Sequence, residues 1–442
     1  MDTLIPRQVI DDFLSEMEVT DLNRASIRQV LMTVWNAENV TGKEYIHLEM
    51  GMPGLPPSAV GVEAQKVALD RGVPSIYPDI TGIADLRTQA SRFVKAFLNT
   101  DIEAKHCTPT CGTMQGTFAA FMLCSQLCPE KDTILYIDPG FPVQKMQASV
   151  LGLKKASFDL ADNRGEKLRD TLEGFLSKGN ICCIIYSNPN NPTWMCLTEG
   201  ELQIIGEMAT KYDTVIVEDL AYFTMDFRRD GLGIPWQPPY QATVSRYTDN
   251  YMMMLSASKI FSYAGERISV ACISDKLYER SFEALRSRYG ISRFGAAYAF
   301  VMLYTMSSGV THSVQYAMAA MMKAAVDGKY NFREDIRLYE RNTRRIKEIM
   351  LKNGFNITYD KDIDEPVGGG FFFTFGYNLP DGTPMEGGQL LHELLYYGVS
   401  GIVLSSTGSA RQGLRGSSSY IREDQFAVLD ERLRLFNEAH RF

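Results

Sequence analysis

Between about Ser58 and Ala325 the 442-residue sequence alternates short, almost continuously apolar runs with segments of helical periodicity, and no other feature restricts its fold as strongly. The runs TILYID (133–138), ICCIIYS (181–187), TVIVED (214–219), YMMMLS (251–256) and ISVACIS (268–274) read as strands, and 113–127, 165–177, 198–212 and 275–287 read as helices. A strand apolar along its whole length needs cover on both faces. The alternation therefore predicts an α/β fold: a three-layer large domain around a mostly parallel sheet, with ligands at the carboxyl ends of its strands.

The pattern changes after a long charged helix expected at Arg333–Asn353. NGFNIT, GGGFFFTFGY and GIVLSS read as short strands, followed by a polar loop and a helix over Glu423–Arg441, while residues 1–45 read as an arm plus a helix over Asp21–Asn36. The expected division is a large domain over 46–325 and a smaller α+β domain built from 1–45 and 326–442. The Pro/Gly-rich segment Phe227–Asn250 is long for a connection and is a candidate functional loop.

Composition narrows the partners. Lys plus Arg number 45 against 53 Asp plus Glu, a net charge of −8, which argues against nucleic-acid binding and for small-molecule ligands. The N-terminus carries acids where a signal peptide carries bases, and no run approaches the roughly 18 apolar residues of a membrane span, so a soluble, cytoplasmic protein is expected, with no membrane partner. Eight cysteines are too dilute for a disulfide scaffold. Cys107 with Cys111 and Cys124 with Cys128 have CxxxC spacing, but the second pair lies on the apolar stretch FAAFMLCSQLC, where burial is the simpler explanation, and no metal site is expected.

Three strand ends carry unusual residues. SNPNNPTW (187–194) must turn, because two Asn-Pro steps cannot continue a helix or a central strand. EDLAYF (218–223) puts Asp219 where TVIV stops and Tyr222 three residues on, and SASKIFSYAGER (256–267) puts Lys259 just past a strand among small hydroxyl residues. Singly, these are a turn, a helix cap and a solvated lysine. Jointly, an amide, a carboxylate with a phenol, and an amine with hydroxyls at successive strand ends suit pyridoxal phosphate, which needs a Schiff-base lysine and an acidic partner for its ring nitrogen.

On NPNNPT, D-x-x-Y, S-x-S-K, G-x-R and a C-terminal Arg, in that order, the sequence resembles the class I/II aminotransferases of the fold-type I pyridoxal-phosphate enzymes. The resemblance implies roles residue by residue. Lys259 would hold the cofactor and move the substrate proton, Asp219 would pair with the ring nitrogen, and Tyr222 and Asn191 would hydrogen-bond the ring oxygen. Phe141, in DPGFP, would stack on the ring, though core packing also accounts for it. Gly112, Thr113 and Met114 at the start of a helix, with Ser256 and Arg267, would cup the phosphate. Tyr77 would reach the phosphate of a neighbouring subunit, which implies a homodimer with shared active sites. Arg415, preferred over Arg411, would clamp the substrate α-carboxylate beside Gly51 and Asn191.

The resemblance implies a transaminase moving an amino group between an L-amino acid and a 2-oxo acid; a lyase on the same scaffold, of the C–S β-lyase or cyclopropane-forming type, shares the same motifs. A non-catalytic regulator would carry an added basic domain, for which the acidic N-terminal segment is too short. Two residues depart from the family pattern: Trp194 stands where Gly usually follows NPT, and Ser269 where Gly is common, the latter read as a minor change. Arg286, Arg288 and Arg293 could supply a second cation for a dicarboxylate substrate, with surface solvation the simpler reading. The five histidines match no site position.

Overall fold

A computed structural model describes residues 3–441. By its contacts the chain forms two units: a larger one of Leu55–Asn190 and Cys196–Ile336, and a smaller one of Met1–Gly54, Asn191–Met195 and Arg337–Phe442.

The larger unit is built on seven strands: β1 Cys107–Thr110, β2 Thr133–Asp138, β3 Lys154–Asp159, β4 Ile181–Ser187, β5 Val215–Asp219, β6 Tyr251–Ser256 and β7 Ser269–Ile273. They form one sheet in the order β1-β7-β6-β5-β4-β2-β3. All pairings from β3 through β6 are parallel, while β7 runs antiparallel to both β6 and β1. The reversal follows from the connection: between β6 and β7 stand only the helical turn Ala257–Ile260 and the 3-10 turn Ala264–Glu266, with no helix to return the chain along the sheet. Buried Ile134, Val217 and Met252 pack with Phe121 and Tyr298, so the sheet has an apolar core. β1 and β3 were not expected; CTPT and the largely uncovered KKASFD lack the apolar runs that mark the inner strands. The helix expected over 275–287 is two, Asp275–Glu279 and Glu283–Tyr289, because Arg280 turns extended and Ser281 bridges Arg293. The segment after Phe227 is pinned to its own unit. Buried Arg333 donates to the carbonyls of Thr224 (3.2 Å), Asp226 (3.3 Å) and Arg229 (2.8 Å), and the Trp236 indole donates to the Val326 carbonyl (3.0 Å).

In the smaller unit the expected helix 21–36 begins later, at Ile27, where Ser26 and Gln29 form a capping box, and runs to Thr41, ending on left-handed Gly42. The arm before it holds a further helix, Arg7–Glu16. Beyond the hairpin of β9 Lys361–Asp362 and β10 Glu365–Pro366, the strands are β8 Phe355–Asn356, β11 Phe372–Tyr377, β12 Ile402–Val403 and β13 Leu414–Ser417, and the sheet order is β12-β13-β11-β8. β13 corrects the expected polar loop: LRGS has no apolar alternation, yet it pairs on both sides as an inner strand. The chain's N-terminal part joins this sheet region through an Ile46–Val399 bridge and a Ser417 N–H to Leu48 carbonyl bond of 2.7 Å. Val34, Leu48, Phe375, Leu391 and Leu433 share one buried core.

Among the described residues, no helix is long and apolar enough to cross a membrane, and no group of His, Cys, Asp and Glu is arranged to hold a metal ion.

Candidate active site

The larger unit gathers most of the expected residues at one end of its sheet. Asp219 is the last residue of β5, where its Oδ1 accepts the Ala221 N–H and its Oδ2 accepts the Gln144 side-chain amide, each at 3.1 Å. Burial pushes its carboxyl up to about 6. A cation placed against it would favour the ionised form and would in turn be held by it. Tyr222 is buried one turn further on. Glu218, which strand alternation sends to the opposite face, was missed by sequence reasoning. It accepts bonds from the Tyr186 hydroxyl (3.1 Å), the Thr243 hydroxyl (2.5 Å) and the Val244 N–H (3.3 Å), and burial pushes it up to about 7.

Ser256 ends β6 and caps the turn that carries half-buried Lys259, its hydroxyl accepting the Ser258 N–H at 3.2 Å. Arg267 leads into β7 with a left-handed backbone (φ 53°), a conformation non-glycine residues adopt rarely and chiefly at constrained sites. Its guanidinium lies against Gly112: a Cβ there would stand 2.4 Å from Arg267 Nη2, and Gly112 itself has φ +67°. Gly112 opens the helix Gly112–Cys124, so a guanidinium and the N–H groups of a helix start lie side by side. Thr113 shares a 3.0 Å hydroxyl contact with Ser269, so the departure read as minor makes a hydrogen bond beside the cradle.

Two glutamines tie these pieces together. Both lie on the helix Pro142–Val150, which half-buried Phe141 precedes. Gln144 bonds Asp219, and Gln147 donates to the Met114 carbonyl at 2.7 Å and accepts from Thr117 at 2.8 Å. Their only signal in the sequence was their spacing of about one and nearly two helical turns from Phe141. Tyr77 lies outside this network and is 88% exposed. Arg286 and Arg293 pair with Glu283 (3.4 Å) and Glu279 (2.9 Å), and Arg288 lies over Tyr289 (5.6 Å), all on the surface.

The smaller unit holds Gly51, Asn191 and Arg415. Arg415 lies in β13, 1% exposed, with Nη2 donating to the Glu49 carbonyl at 2.7 Å and its guanidinium 4.5 Å from the centre of the Phe372 ring. Gly51 faces the same ring, a Cβ there standing 3.4 Å from Phe372 Cζ. Arg411 goes elsewhere, onto the face of Tyr359 at 4.5 Å. Asn191 is buried and starts the short segment that ends at Met195, in which Trp194 is fully buried with φ 64°.

The model of the family "Aminotransferase class I and II" matches residues 43–361, well over half of the chain. The chain belongs to this family. Among relatives, the aspartate aminotransferase of Pyrococcus horikoshii is 28% identical over 260 residues, covering 58% of this chain and 61% of that protein. The LL-diaminopimelate aminotransferase of Aquifex aeolicus is 26% identical over 258 residues, covering 58% and 64%. The chain thus spans about three fifths of the length of the curated relatives it matches. The solved structure of an alanine aminotransferase from Pyrococcus furiosus superposes with a TM-score of 0.75 over 96% of this chain and 99% of that one, at 17% identity. An aspartate aminotransferase from Thermotoga maritima gives 0.74 over the same shares, at 18% identity. At these identities the structures show the fold, that of the fold-type I aminotransferases.

Proposed function

We propose that the chain is a pyridoxal-phosphate-dependent aminotransferase that moves an amino group between an L-amino acid and a 2-oxo acid. The observation that carries this reading is the Gly112–Arg267 cradle, a guanidinium lying against a left-handed glycine at a helix start, linked through Met114, Gln147 and Gln144 to a buried carboxylate at a strand end. The two ends suit the two ends of the cofactor: donors for a phosphate dianion, and a carboxylate for a pyridinium nitrogen. Every relative named above is an aminotransferase, which favours transfer over the lyase reading.

When bound, pyridoxal phosphate supplies an electron sink for the bond broken at the substrate α-carbon. Arg267, the Gly112–Thr113 backbone and Ser256 would bind its phosphate, with Met114 holding its carbonyl to Gln147 so that the helix start keeps its place. Asp219 would hold a proton on the ring nitrogen, aimed there by Gln144 and the Ala221 N–H. Phe141 would cover the ring face, and Tyr222 and Asn191 would donate to the ring oxygen. Lys259 would attach the cofactor and, once released, carry the α-proton on its Nζ. Arg415 would orient the substrate carboxylate through its paired N–H groups beside the Gly51 backbone.

We read the enzyme as a homodimer. Ile76, Tyr77, Met114, Phe300 and Tyr304 are all exposed. The Gln115 to Ser307 bond (2.9 Å) joins the segments that carry Met114 and Tyr304, and the His312 to Ile76 carbonyl contact (3.1 Å) ties the segment that carries Tyr77 to the start of the helix at His312. Exposed apolar side chains on these segments suit a second copy, with Tyr77 reaching the partner's phosphate site. The eight free thiols suit a reducing, cytoplasmic setting.

The test is direct. Purified protein given pyridoxal phosphate should absorb in the visible, and a panel of amino acids should transfer nitrogen to 2-oxoglutarate. Release of pyruvate and ammonia without an acceptor would sink the transferase reading.

A further inference from the structure

Trp194 is the residue that the family pattern does not account for, and within the smaller unit it has a made-to-fit place. Its backbone is left-handed (φ 64°), which is unfavourable for a bulky residue, yet the side chain is fully buried. It is accommodated at Gly370: a Cβ there would stand 1.9 Å from the indole Cε2 and 2.2 Å from Nε1. The Gly370 backbone is fixed in turn, its carbonyl accepting the hydroxyls of Thr343 (2.5 Å) and Ser418 (2.7 Å). The indole therefore rests on a floor that cannot retreat.

From that floor the indole meets Phe372 edge-to-face, with ring centres 6.5 Å apart and planes at 71°. Phe372 carries the Arg415 guanidinium on its ring at 4.5 Å. The register explains the contact: Arg415 pairs with Thr374 across β13 and β11, so Phe372, two residues back, is its diagonal neighbour on the same face. Gly51 abuts the same ring. One aromatic ring thus meets two of the groups assigned to the substrate carboxylate, Arg415 and Gly51, and Trp194 walls that ring.

We propose that Trp194 is a positioning residue for the substrate carboxylate, acting on Arg415 through Phe372, in place of the glycine usual at that position. The proposal rests on the reading of Arg415 as the carboxylate clamp. A glycine at 194 would relieve the backbone and remove the wall, leaving Phe372 free to tilt and the guanidinium without a fixed platform.

The experiment compares holoenzyme carrying Trp194→Gly, Trp194→Phe, Gly370→Ala and Arg415→Ala, titrated with propionate and followed by the cofactor's visible absorbance, alongside cofactor affinity and steady-state kinetics. Trp194→Gly should weaken propionate binding and raise the amino-acid KM by about tenfold, with kcat and cofactor affinity within about threefold of the parent. Trp194→Phe should restore most of the loss, and Gly370→Ala, which pushes on an intact indole, should reproduce it. Propionate affinity within about twofold of the parent in both Trp194→Gly and Gly370→Ala overturns the proposal, as does a loss of cofactor affinity that matches the loss of propionate. If Trp194→Gly does not fold, Trp194→Ala takes its place beside Gly370→Ala under the same criterion. Unchanged propionate affinity in Arg415→Ala overturns the clamp reading itself, and the proposal with it, and is told apart from failure at Trp194 by that variant alone.

Discussion

The two units prepare their polar groups in different ways. In the larger unit, the groups that face the expected cofactor are held by hydrogen bonds between strand ends and helix starts: Gln144 on Asp219, Gln147 on Met114, Ser269 on Thr113. In the smaller unit the guanidinium of Arg415 lies against the ring of Phe372, which Trp194 meets in turn, and it donates to the Glu49 carbonyl. Hydrogen bonds fix direction within a few tenths of an ångström, which suits a cofactor bound once and kept. A ring face holds a guanidinium by its plane, which suits a group proposed to meet a carboxylate edge-on.

Several substitutions can break or sharpen that contrast. Lys259→Ala should have the largest effect, lowering transfer by roughly a thousandfold and abolishing the visible absorbance, because Lys259 is the amine proposed to attach the cofactor and carry the proton. Gly112→Ala comes next. Its φ of +67° strains any L side chain, and a methyl group there would push the Arg267 guanidinium off the helix start, so cofactor affinity should fall by about two orders of magnitude in a dialysis titration while propionate affinity, measured at saturating cofactor, stays put.

Asp219→Asn should act in opposite directions on two properties. The folded carboxyl is raised from 3.8 to about 6 by burial, so its ionisation costs stability that is intact below about pH 4 and lost as pH rises through about 6. Cofactor-free Asp219→Asn should therefore melt higher than the parent at pH 8, by up to on the order of 3 kcal/mol, with the gap closing toward pH 4. Gln144 can turn its amide to keep a partner. The same variant should bind the cofactor more weakly at pH 8, since the charge that favours a pyridinium is gone, and the parent's own cofactor affinity should decline as pH drops below about 6. A stability gap that does not depend on pH would refute this account.

Ser269→Ala should have the smallest effect, about 1 kcal/mol or less in cofactor affinity, the worth of one hydroxyl contact to Thr113. A larger loss would mean that the serine holds the helix start more firmly than a single bond allows.

The inner strands were legible because burial on both faces forces a continuous apolar run, and the motif residues were legible because they follow such runs directly: Asp219 ends β5 and Ser256 ends β6. What stayed hidden had no local mark. LRGS of β13 looks like a loop until Phe372–Tyr377 pairs with it, and the direction of β7 is invisible in ISVACIS, since an apolar run reads alike in either sense. Gln144 and Gln147 are ordinary polar residues on an ordinary helix until the carboxylate and carbonyl they bond come into place. Trp194 was visible only as a departure; its partner Gly370 lies far along the chain, and no spacing rule connects them.

The sequence by itself determined the α/β alternation and the chemical inventory of the site, because apolar periodicity and the residue types at strand ends are local properties of the chain. The tertiary structure alone decided which partners tune that inventory: the burial that lifts Asp219 to about 6, the approach of Arg267 to left-handed Gly112, and the ring that carries Arg415. Desolvation, close approach and stacking depend on groups distant in sequence being brought within a few ångströms, and only folding does that.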